Sequence, residues 1–228
     1  MGPTSPVPLH SREKAPFFLV LWHNCRYNPG PRKTESETPV KALETASFPE
    51  IADRVSALYN EEEDAMMLGM LGKDYVIRHS GIYLHGQAAP VGHAAVIVDY
   101  LFSAGDTFIA APWRSIGDLS GASVPEFRKK VELPLAHYVS EIITRARTLL
   151  PHLDAKPADS MISSDMAMRV RALPKVSLHV EMSQETQDFP AEVWVLYSNN
   201  ALEFLKPSSL QELGELFKER LVSLLRIY

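Results

Sequence analysis

The sequence of 228 residues contains a single cysteine, Cys25. One thiol cannot form an internal disulfide framework, a four-cysteine zinc site or an iron–sulfur cluster. The sequence therefore predicts no intrinsic iron–sulfur cluster. His23 lies two residues before Cys25, but the surrounding proline-rich segment offers no rigid support for a catalytic thiol.

Two further features are missing: an excess of positive charge and a long apolar run. The chain carries 23 Lys and Arg residues against 28 Asp and Glu residues, a net charge of −5, whereas nucleic-acid-binding domains are basic. No stretch reaches the roughly 18 apolar residues of a membrane span. Composition thus predicts neither a nucleic-acid partner nor a membrane partner, and we expect a cytoplasmic protein.

Proline and charge divide the chain into two parts. Residues 1–49 hold eight of the 17 prolines and a net charge of +2, and residues 50–228 carry −7. We predict a proline-rich leader over residues 1–47 and one globular domain over residues 48–228. The leader's apolar run, residues 15–22, is too short for a secretory signal and no cleavage site follows it. A packed strand, a disordered extension or a wrongly chosen start codon are the alternatives.

Hydrophobic spacing predicts several helices in the first half of the domain. One amphipathic helix is expected over residues 48–59, and a solvated acidic turn follows at residues 61–64. Residues 65–71 are interpreted as a short helix that Gly72 ends. Helix-spaced apolar side chains recur over residues 91–102.

Capping residues mark two later helices. Ser123, followed by Pro125 and Glu126, is a good helix start. The helix is expected to continue to residue 150 with a bend at Pro134, which cannot donate a backbone hydrogen bond. A last amphipathic helix begins at Ser209.

Strand patterns fall between the helices. A β-hairpin is predicted from residues 75–78 and 82–85, which flank a turn at residues 79–81. Residues 176–183 alternate apolar and polar side chains, which is typical of a half-buried strand.

A second hairpin is predicted near the C-terminus, from strands at residues 192–197 and 201–205 joined by Asn199 and Asn200. Strands that pair as hairpins beside clustered helices indicate an α+β fold. We expect a mainly antiparallel sheet built from hairpins and packed against several helices.

The common catalytic motifs are missing, including phosphate-binding glycine loops, H-E-x-x-H and the G-x-S-x-G nucleophile elbow. Three histidines, His79, His85 and His93, lie within fifteen residues of one another and are candidate metal ligands. No carboxylate lies at helical spacing from His93, so surface or hydrogen-bonded histidines are the preferred interpretation. His179, on the polar face of its strand, is interpreted in the same way.

The segment most typical of a binding pocket is residues 110–119. Trp113 and Arg114 can stack on a ligand and clamp a carboxylate or phosphate, with Asp118 and Arg128 close by in sequence. The alternative, which we prefer, is that Trp113 fills the core and Arg114 pairs with Asp118.

Two other segments have competing interpretations. Asp188 is a candidate ligand-binding carboxylate, although a turn in which Phe189 anchors into the core is the simpler interpretation. The methionine-rich residues 66–70 can form an adaptable partner-binding surface, but core packing is preferred.

Several short motifs together indicate a family resemblance. They are YLF (100–102), PWRSIGDL (112–119) with FR (127–128), LPKVSL (173–178), DFPA (188–191) and VLY (195–197). In order and spacing they resemble the uncharacterised prokaryotic family called domain of unknown function 3786, over about residues 48–225.

The resemblance implies a fold and a redox or corrinoid-related context, because members sometimes carry a cysteine-rich iron–sulfur module. Cys25 alone departs from that arrangement. The resemblance supplies no catalytic residues, and the cofactor stays unknown.

Three functions follow, in order of preference. The first is a cytoplasmic domain that binds a small anionic ligand through Trp113, Arg114, Asp118, Arg128 and Asp188, or that serves redox or corrinoid iron–sulfur proteins. The second is a protein-interaction module without a ligand, whose partner is an iron–sulfur or corrinoid protein. The third is a metal-dependent enzyme that uses His79, His85 and His93.

Overall fold

The computed structural model describes residues 41–228, which belong to one compact unit. Two antiparallel sheets with helices packed against them confirm the predicted α+β class. Cys25 and the apolar run at residues 15–22 lie outside the described residues. Within residues 41–228, no helix is long and apolar enough to cross a membrane.

The first sheet has five strands that pair in chain order. They are β1 (Leu58–Asn60), β2 (Ala65–Met70), β3 (Lys73–Arg78), β4 (Gly81–Leu84) and β5 (Gln87–Ala88).

The second sheet has four strands, again in chain order. They are β6 (Ala155–Pro157), β7 (Met166–Leu173), β8 (Val176–Ser183) and β9 (Glu192–Tyr197).

The helices surround these sheets. They are α1 (Phe48–Val55), α2 (Val91–Leu101), α3 (Ile116–Ser120), α4 (Val124–Phe127), α5 (Leu133–Ala136), α6 (Val139–His152), α7 (Ala201–Phe204) and α8 (Pro207–Ile227), with a π-helical segment at Arg128–Glu132.

The predicted helix at residues 65–71 is wrong: Ala65–Met70 is strand β2, paired with β1 on one side and β3 on the other. An unbroken apolar run fits either a buried helix or a buried strand, and the strand pairing decided between them. Leu71 and Gly72 form the turn to β3, with φ of +52° and +71°. Positive φ at both positions is the two-residue hairpin geometry that favours glycine.

The predicted helix over residues 48–59 is shorter than expected, because α1 ends at Val55 and the chain enters strand β1. The exposed acidic turn at residues 61–64 and the hairpin of β3 and β4 are confirmed. The methionines of β2 are buried, so the core-packing interpretation of residues 66–70 is also confirmed.

The long helix expected from Ser123 is interrupted. The Ser123 side chain caps α4 as predicted, by accepting from the Glu126 N–H. The chain then passes through the π-helical segment and α5, and a new helix begins at Val139. Pro134 in α5 lacks the backbone N–H that a continuous series of helical hydrogen bonds needs, which accounts for the irregular helix around it.

The second predicted hairpin is wrong as well, because residues 201–204 form helix α7. The neighbouring position on the edge of β9 is already taken: Arg114 pairs with Tyr197 through two backbone hydrogen bonds of 2.9 and 2.8 Å. A returning strand would have to displace it. Asn200 instead donates from Nδ2 to the carbonyls of Thr107 and Lys175.

Strand β8 is more buried than its alternating pattern suggests. Its apolar side chains, such as Leu178 and Val180, enter the core, and its polar side chains Ser177, His179 and Glu181 are buried too. We call the side of the second sheet that carries these polar residues the outer face. The strand predicted at residues 176–183 is therefore confirmed with its bounds, but it is buried on both faces and not half-buried, since loops cover the outer face.

Candidate functional site

The loop before α3 covers the middle of the outer face. The Arg114 bridge to Tyr197 holds this loop beside β9. The neighbouring Trp113 turns its indole onto His179, with ring centroids 5.2 Å apart and planes inclined by 30°. Trp113 is half-buried, so it acts as a cover on the sheet rather than as a plug in the core.

A cross-strand pair lies beneath this cover. Arg169 of β7 is directly opposite His179 of β8, so both side chains lie on the outer face. The guanidinium carbon of Arg169 is 5.5 Å from the Trp113 ring centroid, within cation–π range.

Glu181 is the second polar group of the site, two residues along β8 and only 1% exposed. The loop between β6 and β7 surrounds it with donors: the Ser160 hydroxyl at 2.5 Å and the Ser164 hydroxyl at 2.7 Å. The Met161 N–H donates at 2.7 Å. Burial opposes ionisation of this carboxyl, but hydrogen bonds led by those of Ser160 and Ser164 hold the pKa of Glu181 at about 2. Glu181 is therefore ionised at neutral pH.

His179 is oriented by Glu181. Its Nε2 lies 3.0 Å from Glu181 Oε1, and because an ionised carboxylate only accepts hydrogen bonds, Nε2 carries a proton and donates. In the neutral ring this leaves Nδ1 as a bare acceptor. Nδ1 is buried and has no hydrogen-bond partner within residues 41–228.

Two of the predicted site residues lie close to Trp113 in the chain, Arg114 in the same loop and Asp118 in α3, but they have local roles. Arg114 donates from Nε to Asn199 Oδ1 at 3.1 Å. Asp118 forms a capping box with Ser115 at the start of α3. The expected pairing of Arg114 with Asp118 is therefore replaced by two separate interactions.

The other two predicted site residues lie elsewhere. Arg128, in the π-helical segment, forms an ion pair with Glu192 at 2.6 Å. Asp188 is in the exposed loop between β8 and β9. Its neighbour Phe189 is 71% exposed, so the expectation that Phe189 anchors into the core is wrong.

The three candidate metal-ligating histidines occupy three different environments. His79 contacts the Leu43 carbonyl at 2.6 Å and Asp64 at 3.0 Å. His85 is exposed in the turn before β5, and His93 contacts the Tyr75 hydroxyl. Across residues 41–228, no group of three or more His, Cys, Asp or Glu side chains is placed to hold a metal ion.

Sequence reasoning missed Glu181 as the partner of His179, and Ser160 and Ser164 as the hydroxyl donors to Glu181. One signal was available: His179 and Glu181 are two residues apart on the polar side of an alternating strand, so they share a face. The two serines come from the loop before β7, 21 and 17 residues earlier in the chain, and the pairing of β7 with β8 brings that loop to Glu181.

Comparison with known proteins gives one result. Residues 47–220 match the family described as domain of unknown function, DUF3786. No curated protein and no solved structure matches the chain.

Proposed function

The chain belongs to the DUF3786 family, and from this premise we propose that it binds a small organic acid on the outer face, beneath Trp113. The ligand carries a carboxylate and, next to it, an N–H or O–H donor, as 2-hydroxy and 2-amino acids do. This proposal narrows the small anionic ligand expected from the sequence.

The observation that carries the proposal is the unpaired Nδ1 of His179. A buried acceptor without a partner costs about 1–3 kcal/mol. A ligand that donates a hydrogen bond to Nδ1 removes this cost. Because Nε2 donates to the ionised Glu181, the neutral imidazole accepts at Nδ1.

Positive charge beside His179 supports an anionic ligand. Arg169 is exposed and forms no ion pair within residues 41–228, although it lies opposite His179 in the sheet. Arg114 uses Nε for Asn199, which leaves its terminal nitrogens as further donors. A guanidinium can bind a carboxylate through two parallel hydrogen bonds.

Trp113 controls access to this site in the proposal. Its indole covers His179, so the ligand must move the ring aside and take its place over the imidazole. The segment before it, Ala111 and Pro112, is exposed. Displacement of the ring changes its surroundings, which gives a fluorescence signal on binding.

Calorimetric titration of the full chain tests the proposal with pairs of acids that differ only in the 2-hydroxy or 2-amino group. The donor-bearing acid is expected to bind about tenfold or more tightly than its partner. Arg169→Gln should abolish binding. Arg171→Gln removes the same charge two residues along β7, where Arg171 pairs with Asp154, and should leave binding unchanged. Equal affinity for both members of each pair, or no binding at all, refutes the proposal.

The second candidate function is that of an accessory protein that binds redox or corrinoid iron–sulfur proteins. It is supported by five exposed apolar side chains in the loops next to the outer face: Phe108, Ile109, Met161, Ile162 and Phe189. Sedimentation of the chain with a purified corrinoid iron–sulfur protein tests it. Phe189→Ser should weaken the complex and Val124→Ser, at an exposed position on α4, should not.

A cytoplasmic location agrees with both candidate functions, because a chain with one cysteine needs no oxidising compartment.

A further inference from the structure

A second group of polar side chains lies on the first sheet, where β3 meets α2 and α8. Lys73 and Tyr75 are two residues apart on β3 and share the face that packs on the helices. His93 comes from the first turn of α2, and Arg220 comes from α8. None of these four residues belongs to the site beneath Trp113.

The buried Tyr75 and the half-buried His93 form a hydrogen-bonded pair. The Tyr75 hydroxyl lies 2.6 Å from His93 Nδ1, and Tyr75 is 1% exposed. Burial raises the pKa of Tyr75 to about 12 and, together with the charge of Lys73, lowers the pKa of His93. When the phenol donates to Nδ1, the proton of the neutral imidazole is on Nε2. This Nε2–H has no partner within residues 41–228.

Arg220 also has a donor without a partner. Its terminal nitrogen donates to the His152 carbonyl at 3.0 Å, while its Nε is buried and unpaired among the described residues. The same carbonyl packs against Gly72, where a Cβ would collide with it. This close approach brings the start of β3, and with it Lys73, next to Arg220.

Lys73 and Arg220 are two neighbouring cations that lack a carboxylate partner. Neither forms an ion pair within residues 41–228. Burial and the charge of Arg220 lower the pKa of Lys73, as expected for two like charges that are partly removed from water. Glu219 of α8 is exposed, and its negative charge partly offsets the lowering of the His93 pKa. A second carboxylate, that of Glu212, packs against Gly92, the residue before His93. On the side of Arg220, the rings of His152 and Tyr228 stack with their centroids 4.4 Å apart.

We infer that Lys73, His93 and Arg220 form a site for an oxyanion, a phosphate or a carboxylate. An oxyanion supplies acceptors for the Nε2–H of His93 and the Nε–H of Arg220 and balances the two positive charges. Tyr75 positions the imidazole through Nδ1 so that the opposite nitrogen donates. The site is independent of the proposed function, because it uses the other sheet and no residue near Trp113.

Equilibrium titration of the full chain with inorganic phosphate, and separately with acetate, distinguishes the two oxyanions. Binding of either one at a single site, with a shift of the His93 Nε2–H signal in the NMR spectrum, is the expected result. Lys73→Gln and Arg220→Gln should each weaken binding at least tenfold. Lys129→Gln removes an exposed charge from the π-helical segment and should have no effect.

If Arg220→Gln fails to fold, Arg220→Lys takes its place in the titration, because it retains the positive charge. It should bind more weakly than the unmodified chain, because it lacks the Nε donor. The inference is overturned if neither anion binds, if Lys129→Gln weakens binding as much as Lys73→Gln, or if the His93 signal does not respond. Trp113 fluorescence should stay constant, which separates this site from the one on the outer face.

Discussion

The indole of Trp113 lies over the imidazole of His179, with 5.2 Å between the ring centroids and 30° between the ring planes. This contact joins the loop before α3 to the centre of β8. It keeps water from a polar ring whose Nδ1 has no partner among the described residues. The loop thus acts as a cover over the His179 and Glu181 pair.

Removing the cover should expose His179. In Trp113→Ala we expect diethyl pyrocarbonate to modify His179 several times faster than in the unmodified chain, because only His179 loses its covering ring. Peptide mass spectrometry measures the rate at each histidine. His85, which is exposed in both proteins, is the internal control. Equal rates at His179 in the two proteins would show that Trp113 does not limit access.

Glu181 should make stability depend on pH in the acid range. Its pKa is lowered from the ordinary 4.5 to about 2 in the folded chain. A carboxyl whose pKa is lowered by folding stabilises the fold above its unfolded pKa, and this stability is lost as the pH falls towards the folded pKa. Glu181→Gln should therefore reduce the free energy of unfolding at neutral pH by on the order of 3 kcal/mol.

Urea unfolding at a series of pH values checks this prediction. The difference between Glu181→Gln and the unmodified chain should shrink from pH 4.5 towards pH 2. Glu185→Gln, at an exposed position after the same strand, should show no such difference. If the difference in the free energy of unfolding between Glu181→Gln and the unmodified chain were the same at every pH, the ionisation of Glu181 could not be its cause.

Gly72 should tolerate alanine less well than Gly86. Both have positive φ, +71° and +77°, so an added Cβ strains both backbones by about 1 kcal/mol. Only at Gly72 does the Cβ also collide with the His152 carbonyl, whereas it meets nothing within 4 Å at Gly86. Thermal unfolding of Gly72→Ala and Gly86→Ala should show a clearly larger loss for the first. Equal losses of thermal stability in the two variants would mean that the close approach of Gly72 to α6 does not contribute to the stability of the fold.

The hydroxyl of Tyr75 should contribute to stability through His93. Tyr75→Phe removes the hydroxyl that lies 2.6 Å from Nδ1 of His93, and a polar atom that loses its partner away from water costs about 1–3 kcal/mol. Urea unfolding measures the loss. Tyr138→Phe removes a hydroxyl from a half-buried tyrosine on another helix junction and is expected to be neutral. A neutral Tyr75→Phe would contradict the hydrogen bond.

Local signals in the sequence were sufficient for much of the fold. The hairpin of β3 and β4 follows from apolar alternation on both sides of a glycine, and α2 and α8 follow from helical spacing of their apolar residues. The Ser123 cap follows from its own side chain. Each of these features depends on residues within a few positions of one another, which is why sequence alone identifies them.

Features that depend on distant residues were not predictable in this way. Ala65–Met70 is an apolar run that fits a helix or a strand, and pairing with β1 and β3 made it a strand. Residues 201–204 became a helix because Arg114, far earlier in the chain, occupies the edge of β9 beside Tyr197.

The sequence by itself determined the α+β class and the family, and it singled out the Trp113 segment as a candidate site, because these rest on short motifs and local periodicity. The tertiary structure decided what that segment covers. It set Trp113 on His179, brought Ser160 and Ser164 to Glu181, and moved Arg128 and Asp188 away from the site. The physical reason is that a site assembled across strands and loops depends on pairing register and burial, which no single segment encodes.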